Sequence, residues 1–330
     1  MNKRRVAVVS LGGTISSIRE SDGATGVTPS LDADELVSQI PQIGSFAEIE
    51  TMAFKRVASP AISFSDLFDL TEKIDSLFHN GIDGVVVTQG TDTIEETSFF
   101  LNCTVKSNKP VIVTGAMRNP TLAGADGSAN LLEAIEVAAT KETQGLGTLV
   151  VMNDFIYHSR YVTKEHTSNP AAFTAFPTGT IGWISEDKVR IAMKPVKKRF
   201  VIEVNRSDKD KNVGFLTIVI GDDGGFLRDI IKLDYDGLIL EGAGGGHVIP
   251  SFMQVISSIA KEIPIVLTSR TRHGEILNNT YSFRGSESDL IKNGVISGGS
   301  LNSLKARILL YLLLRKSVSR DYIRKTFERI

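Results

Sequence analysis

The sequence predicts an α/β protein: a larger N-terminal domain on a mostly parallel, doubly wound sheet, followed by a smaller C-terminal α/β domain. Three observations carry this. Short apolar β-branched runs such as Val85–Val87 and Val111–Val113 alternate with longer segments of helical period, the pattern of strands joined by crossover helices. Glycines and hydroxyl residues follow such runs at once, in Leu11-Gly12-Gly13-Thr14 and Thr88-Gln89-Gly90-Thr91, as strand-to-helix turns require. The composition shifts abruptly towards charge at 196–212, VKKRFVIEVNRSDKDKN, which marks a junction between domains. The expected division is therefore 1–195 as the N-terminal domain, 196–212 as a linker and 213–330 as the C-terminal domain.

Taken in order, Arg5–Ser10 is a short apolar strand, and the two glycines after it let the backbone turn sharply and present Thr14. Ser16–Ser30 is rich in Ser, Gly, Thr and Asp without periodicity and reads as a mobile surface loop. Asp34–Ile40 and Ser65–Phe78 are helices; in the second, Leu67, Leu70, Ile74 and Leu77 recur at helical spacing. Ile49–Val57 is a strand ending at Ala58-Ser59-Pro60. The buried strand Val85–Val87 leads through Thr88–Asp92 into a helix reaching Val105. The strand Val111–Thr114 opens into Gly115–Arg118, and a helix spans Asn130–Thr140. Leu149–Met152 is a further strand, with Lys164 in the polar sequence beyond it. In the C-terminal part, Val213–Val219, Gly237–Leu240 and Ile263–Leu267 are strands, and Ser251–Lys261 and Leu301–Arg315 are helices. Right-handed crossovers would put Thr14, Ser59, Thr91 and Ala116 on one edge of the sheet.

Composition narrows the function. The 330 residues are 42% hydrophobic and 23% charged, enough to bury a sizeable core. A net charge of −1 supplies no electrostatic footprint for nucleic acid or an anionic membrane. The single cysteine, Cys103, excludes an intrachain disulfide and reads as a packing residue. MNKRR resembles the start of a signal segment, but VAVVS meets LGGT at once, so the expected location is the cytoplasm. The longest apolar run, Ile308–Leu314, has seven residues against the roughly twenty needed to span a bilayer. Neither GxGxxG nor GxxxxGK[ST] occurs, which removes the usual support for dinucleotide or triphosphate binding.

The central stretch GVVVTQGTDTIEET, Gly84–Thr97, has two readings. Thr91 or Asp92 followed by a glutamate fits a helix N-cap. The same hydroxyls, carboxylate and free backbone N–H groups can also converge on a small polar ligand at a strand end.

These motifs together resemble the bacterial-type asparaginase/glutaminase family over nearly the whole chain. The resemblance rests on LGGTI at 11–15, TQGTDTIEET at 88–97, VIVTGAMR at 111–118 with ADG at 125–127, VMNDFIYHSRYVTK at 151–164 and SGGSLNSLKARILL at 297–310. It implies an amidohydrolase that releases ammonia through an acyl-enzyme and needs neither metal nor organic cofactor. Thr14 matches the family's nucleophile, and Thr91, Asp92 and Lys164 match its second polar triad. A threonine hydroxyl needs a base to take its proton, a task a lysine performs where its environment lowers its pKa. Ser59 matches a residue that binds the substrate carboxylate. Asp92 would also face the substrate ammonium, and the Gly90-Thr91 backbone would stabilise developing charge. Ala116 belongs to the loop that lines the same site. His247 stands where the family has an asparagine from a neighbouring subunit, and Glu287 aligns with its substrate-facing glutamate. The resemblance further implies a homodimer or homotetramer.

Two departures bear on the substrate. Gly26 stands where the family commonly has a loop tyrosine, and no tyrosine occurs between Met1 and Phe100. Pro60 follows Ser59 where a polar residue is usual, and proline has no side-chain donor or acceptor. Besides L-asparagine hydrolysis, the alternatives are hydrolysis of another small amide and a non-catalytic amino-acid-binding protein.

Overall fold

The computed structural model describes residues 3–18, 26–196 and 199–330. The chain forms two compact units, Met1–Val201 and Ile202–Ile330. Among the described residues, the large sheet of the first has eight strands: β1 (Arg4–Gly12), β2 (Ala47–Val57), β3 (Gly84–Thr88), β4 (Val111–Thr114), β5 (Thr148–Met152), β6 (Phe155–His158), β7 (Gly182–Ser185) and β8 (Lys188–Ile191). Their order is β8-β7-β6-β5-β4-β3-β1-β2. From β2 to β5 every pair is parallel, whereas β6, β7 and β8 add antiparallel strands at the far edge. The sheet is thus mostly parallel, as the alternation of apolar runs and helical segments predicts.

The three valines of β3 are wholly buried because both faces of the sheet are covered. Val86 shares a core with Val6, Val8 and Ile112, and with Leu131, Ala134, Ile135 and Ala138 of the helix Gly127–Ala139. Alternation along the strand sends Val85 and Val87 to the opposite face. The helices Phe64–His79 and Ile94–Thr104 pack together through Phe64, Phe68 and Phe100, with Phe68 edge-on to Phe100 at 5.0 Å. Ser63 caps the first of them, its hydroxyl accepting from the Asp66 amide while the Asp66 side chain accepts from the Ser63 amide.

The second unit carries four parallel strands in sequential order: β9 (Val213–Thr217), β10 (Gly237–Gly242), β11 (Ile265–Ser269) and β12 (Ile296–Ser297). Leu238, Leu240, Ile265 and Leu267 meet Ile256 and Ile259 of the helix Met253–Glu262. The helices Ser303–Arg315 and Arg320–Arg329 follow. Among the described residues no helix is long and apolar enough to cross a membrane.

Candidate active site

The parallel part of the large sheet runs β2-β1-β3-β4-β5. In this order the direction of crossover reverses between β1 and β3, and ligands of such sheets bind beyond the carboxyl ends of the strands at that reversal. Thr14 follows β1 and Thr91 follows β3.

The turns beyond these strands touch. Gly13 has φ 86° and ψ −175°, a region open essentially to glycine alone. A Cβ there would lie 2.0 Å from the Gly90 nitrogen and 2.4 Å from its Cα, so the missing side chain is what lets the first turn rest on the second. A Cβ on Gly90 would lie 2.8 Å from Ser59 Oγ, which brings in the turn after β2. Gly115, next to Ala116, packs on the Gln89 carbonyl and the Thr91 methyl. Ser59, Gly90 and Thr91 therefore converge with the Gly13-Thr14 and Gly115-Ala116 peptides. Thr14 is half-buried and opens a single 3-10 turn, Thr14–Ser16; the Ser16 and Ser17 hydroxyls donate to the Gly13 carbonyl at 3.0 and 2.8 Å and hold that turn. Ala116 is fully buried.

Lys164 enters from a two-residue antiparallel pairing, in which it lies opposite Phe173. The Tyr157 hydroxyl anchors that pairing by donating to the Phe173 carbonyl at 2.9 Å. Lys164 Nζ donates to Thr91 Oγ1 at 2.8 Å and to Asp92 Oδ1 at 2.6 Å. The lysine side chain is 13% exposed and the Asp92 side chain 67%. The amine is thus largely withdrawn from water while the carboxylate opens to solvent. Neither the Thr91–Thr93 turn nor the start of the helix at Thr93 has a side-chain capping hydrogen bond. The capping reading of the central stretch therefore gives way: Thr91 and Asp92 are turned to the lysine.

Two residues that support these turns were not among the expected site residues. The Asp126 carboxylate accepts from the Met117 and Arg118 amides at 3.0 and 2.8 Å. Asn130 donates to the Gly115 carbonyl at 3.0 Å and to Asp126 at 3.1 Å, and accepts from the Asn153 amide at 2.9 Å. ADG marks Asp126, but nothing in the sequence singles out Asn130, a buried amide on a helix that also buries Glu133 and Glu136.

Pro60 is exposed and is the second residue of the 3-10 turn Ser59–Ala61. Gly26 is exposed with nothing within 4 Å of the position its Cβ would take. The predicted loop Ser16–Ser30 is described only at its ends, residues 19–25 lying outside the described residues.

His247 and Glu287 belong to the second unit, where they face each other. His247 Nε2 is 3.2 Å from Glu287 Oε2, and the His247 ring meets the edges of Tyr281 and Phe283 at 4.9 and 5.1 Å. The Glu287 side chain is fully buried, and its Oε1 accepts from the Thr280 and Tyr281 amides at 3.0 and 2.8 Å. Burial pushes this carboxyl up, but the backbone amides and His247 outweigh it and hold the group below its ordinary value.

Residues 5–197 match the family model described as asparaginase, N-terminal, and residues 212–327 match the glutaminase/asparaginase C-terminal domain. An L-asparaginase of Bacillus licheniformis is 36% identical over 318 residues, covering 95% of this chain and 96% of that protein. L-asparaginase 2 of Escherichia coli is 30% identical over 328 residues, covering 98% and 92%. The crystal structure of a probable cytoplasmic L-asparaginase from Campylobacter jejuni superposes with a TM-score of 0.90 at 34% identity, covering 99% of this chain and all of that one. With both domain models matched and the turns after β1 and β3 assembled at the sheet's reversal, the chain belongs to the asparaginase family.

Proposed function

We propose that this protein hydrolyses the side-chain amide of L-asparagine to L-aspartate and ammonia through a threonine acyl-enzyme. The observation that carries the reading is Lys164 Nζ at 2.8 Å from Thr91 Oγ1 and 2.6 Å from Asp92 Oδ1, beside the turn that bears Thr14. Thr14 Oγ1 attacks the amide carbon, the C–N bond breaks as the nitrogen takes a proton and leaves as ammonia, and water then cleaves the resulting ester. In its neutral form the Lys164 amine accepts the Thr91 proton, so Thr91 can in turn deprotonate the attacking water; in its charged form the amine is held by Asp92. Ser59 meets the substrate carboxylate, Asp92 the ammonium group, and the Gly90, Thr91 and Ala116 backbone the charge that develops on oxygen.

A second reading is favoured by a specific pair of features: Pro60 has no polar side-chain group beside Ser59, and Gly26 brings no phenol. Recognition of the amino group is then weaker, and a small ω-amide without one is the substrate. The reading further includes a homodimer or homotetramer in which His247 and Glu287 of a neighbouring copy complete each site, and a cytoplasmic location, supported by the likeness to the Campylobacter protein. Ammonia release from asparagine, glutamine, their D-forms and succinamate, with Thr14→Val and Thr91→Val as controls, tests the chemistry. Asparagine turnover lost in both variants supports the first reading, and turnover of succinamate alone supports the second. If no amide is hydrolysed while aspartate still raises Tm, the protein is an amino-acid binder.

A further inference from the structure

Gln89 is wholly buried between β3 and Thr91, a place where leucine would fill similar space without a polar group. Its amide is engaged on one side only. Nε2 donates to the Gly90 carbonyl at 3.2 Å and to Thr93 Oγ1 at 3.2 Å, and Thr93 Oγ1 gives its own proton to the Ser59 carbonyl at 3.3 Å. A carbonyl can only accept, and the Thr93 proton is already committed, so both contacts require a donor from Gln89. That fixes which end of the amide points where and leaves Oε1 buried with no hydrogen-bond partner among the described residues. An unpaired buried acceptor costs stability. The chain tolerates it at a position where the other end of the amide holds the hydroxyl that reaches across to the Ser59 turn.

The Ser59 turn is located from two sides. Its Oγ rests against Gly90, where no side chain intervenes, and its carbonyl is tied to Thr93. Gln89 Nε2 holds the Gly90 carbonyl and the Thr93 hydroxyl at once. We propose that Gln89, acting through Thr93, is the positioning residue that sets where Ser59 stands relative to the Thr91–Lys164 pair, and so governs binding of the substrate α-carboxylate rather than proton transfer. This rests on the reading above, in which Ser59 meets that carboxylate.

Steady-state kinetics with asparagine and calorimetric binding of aspartate, which keeps the α-carboxylate, test it on the full chain. For Gln89→Leu and for Thr93→Val, the KM for asparagine and the Kd for aspartate rise together by about 5- to 20-fold while kcat stays within about twofold. The double variant is no worse than either single one, because both break the same chain of hydrogen bonds. Thr93→Ser, which keeps the hydroxyl, restores both constants. Gln89→Leu removes the unpaired acceptor but also takes the donor from the Gly90 carbonyl, so its Tm stays within a few degrees of the parent's; should it fail to fold, the Thr93 pair carries the test. A fall in kcat with KM and Kd unchanged, or additive losses in the double variant, overturns the proposal. Ser59→Ala separates the two levels: if its KM equals the parent's, Ser59 is not in the site and the reading beneath falls too. If Ser59→Ala raises KM while Thr93→Val does not, only the proposal falls.

Discussion

Lys164 has two partners, and its loss should reach the chemistry before the fold. Replacing it with methionine keeps the aliphatic stem packed and removes the amine. Asparagine turnover should fall by about 10²- to 10⁴-fold, the usual contribution of a positioned proton-transfer group, with Tm within a few degrees of the parent. Unchanged turnover in an ammonia-release assay would remove the lysine from the mechanism. Cys103 stands at the opposite extreme: it is 1% exposed, and burial pushes its thiol up to about 12. Thiol reagents at neutral pH should leave the folded protein unlabelled and titrate one thiol after denaturation. Rapid labelling of the native protein would contradict the packing role that its place on the helix Ile94–Thr104 assigns it.

The turn between β1 and Thr14 depends on Gly13, whose dihedrals and contact with Gly90 both exclude a side chain. Gly13→Ala should lower stability by about 1–3 kcal/mol from backbone strain alone, and should reduce kcat as well because the Thr14 turn must lift off Gly90. A variant of parental kcat and stability would show that the two turns do not depend on each other. This contact was only partly legible in the sequence. LGGT announces a sharp turn, but its partner 77 residues further on is set by the β1–β3 pairing, Ser10 opposite Thr88. The long strands and helices of the large unit were legible because their valine runs and helical periods are strong. β7 and β8 were not: each has four residues with alternately exposed positions, too short for a period of two to stand out. The helix Arg320–Arg329 escaped for a different reason. It buries little more than Ile323 and Phe327 on one face, amid charge, and its start is set by the Ser319 hydroxyl accepting from the Tyr322 amide.

For the chain as a whole, the helix Gly127–Ala139 introduces a dependence on pH unrelated to the reaction. Burial, and then the Asp154 carboxyl, raise Glu133; burial, and then the Asp187 charge, push Glu136 up to about 7 from 4.5. The folded chain therefore keeps protons that the unfolded chain has already released. Stability must fall as pH rises from about 4.5 through 7, where Glu136 releases its proton, towards about 8, where Glu133 does, and level off above. Thermal melts across that window should show Tm declining, and Glu136→Gln should flatten the slope; a Tm that rises with pH in the parent would refute the assignment. The overall division into two α/β units follows from composition and apolar patterning. The convergence of Lys164 on Thr91 does not, because an isolated lysine 73 positions away gives no local sign of where its chain returns.

The register of β1 on β3 has a consequence for how this protein can change. With Ser10 level with Thr88, the two threonines are reached by counting outwards from one shared rung, four residues to Thr14 and three to Thr91. The apolar side chains below that rung can be exchanged for others of similar volume, since they only fill the core. The stretch beyond the strand ends acts as a ruler: one residue added or removed between Gly12 and Thr14, or between Thr88 and Thr91, would leave the strands paired below it, yet put the hydroxyls out of step. Tolerance of substitution in the strands and intolerance of length change beyond them are two faces of the same pairing.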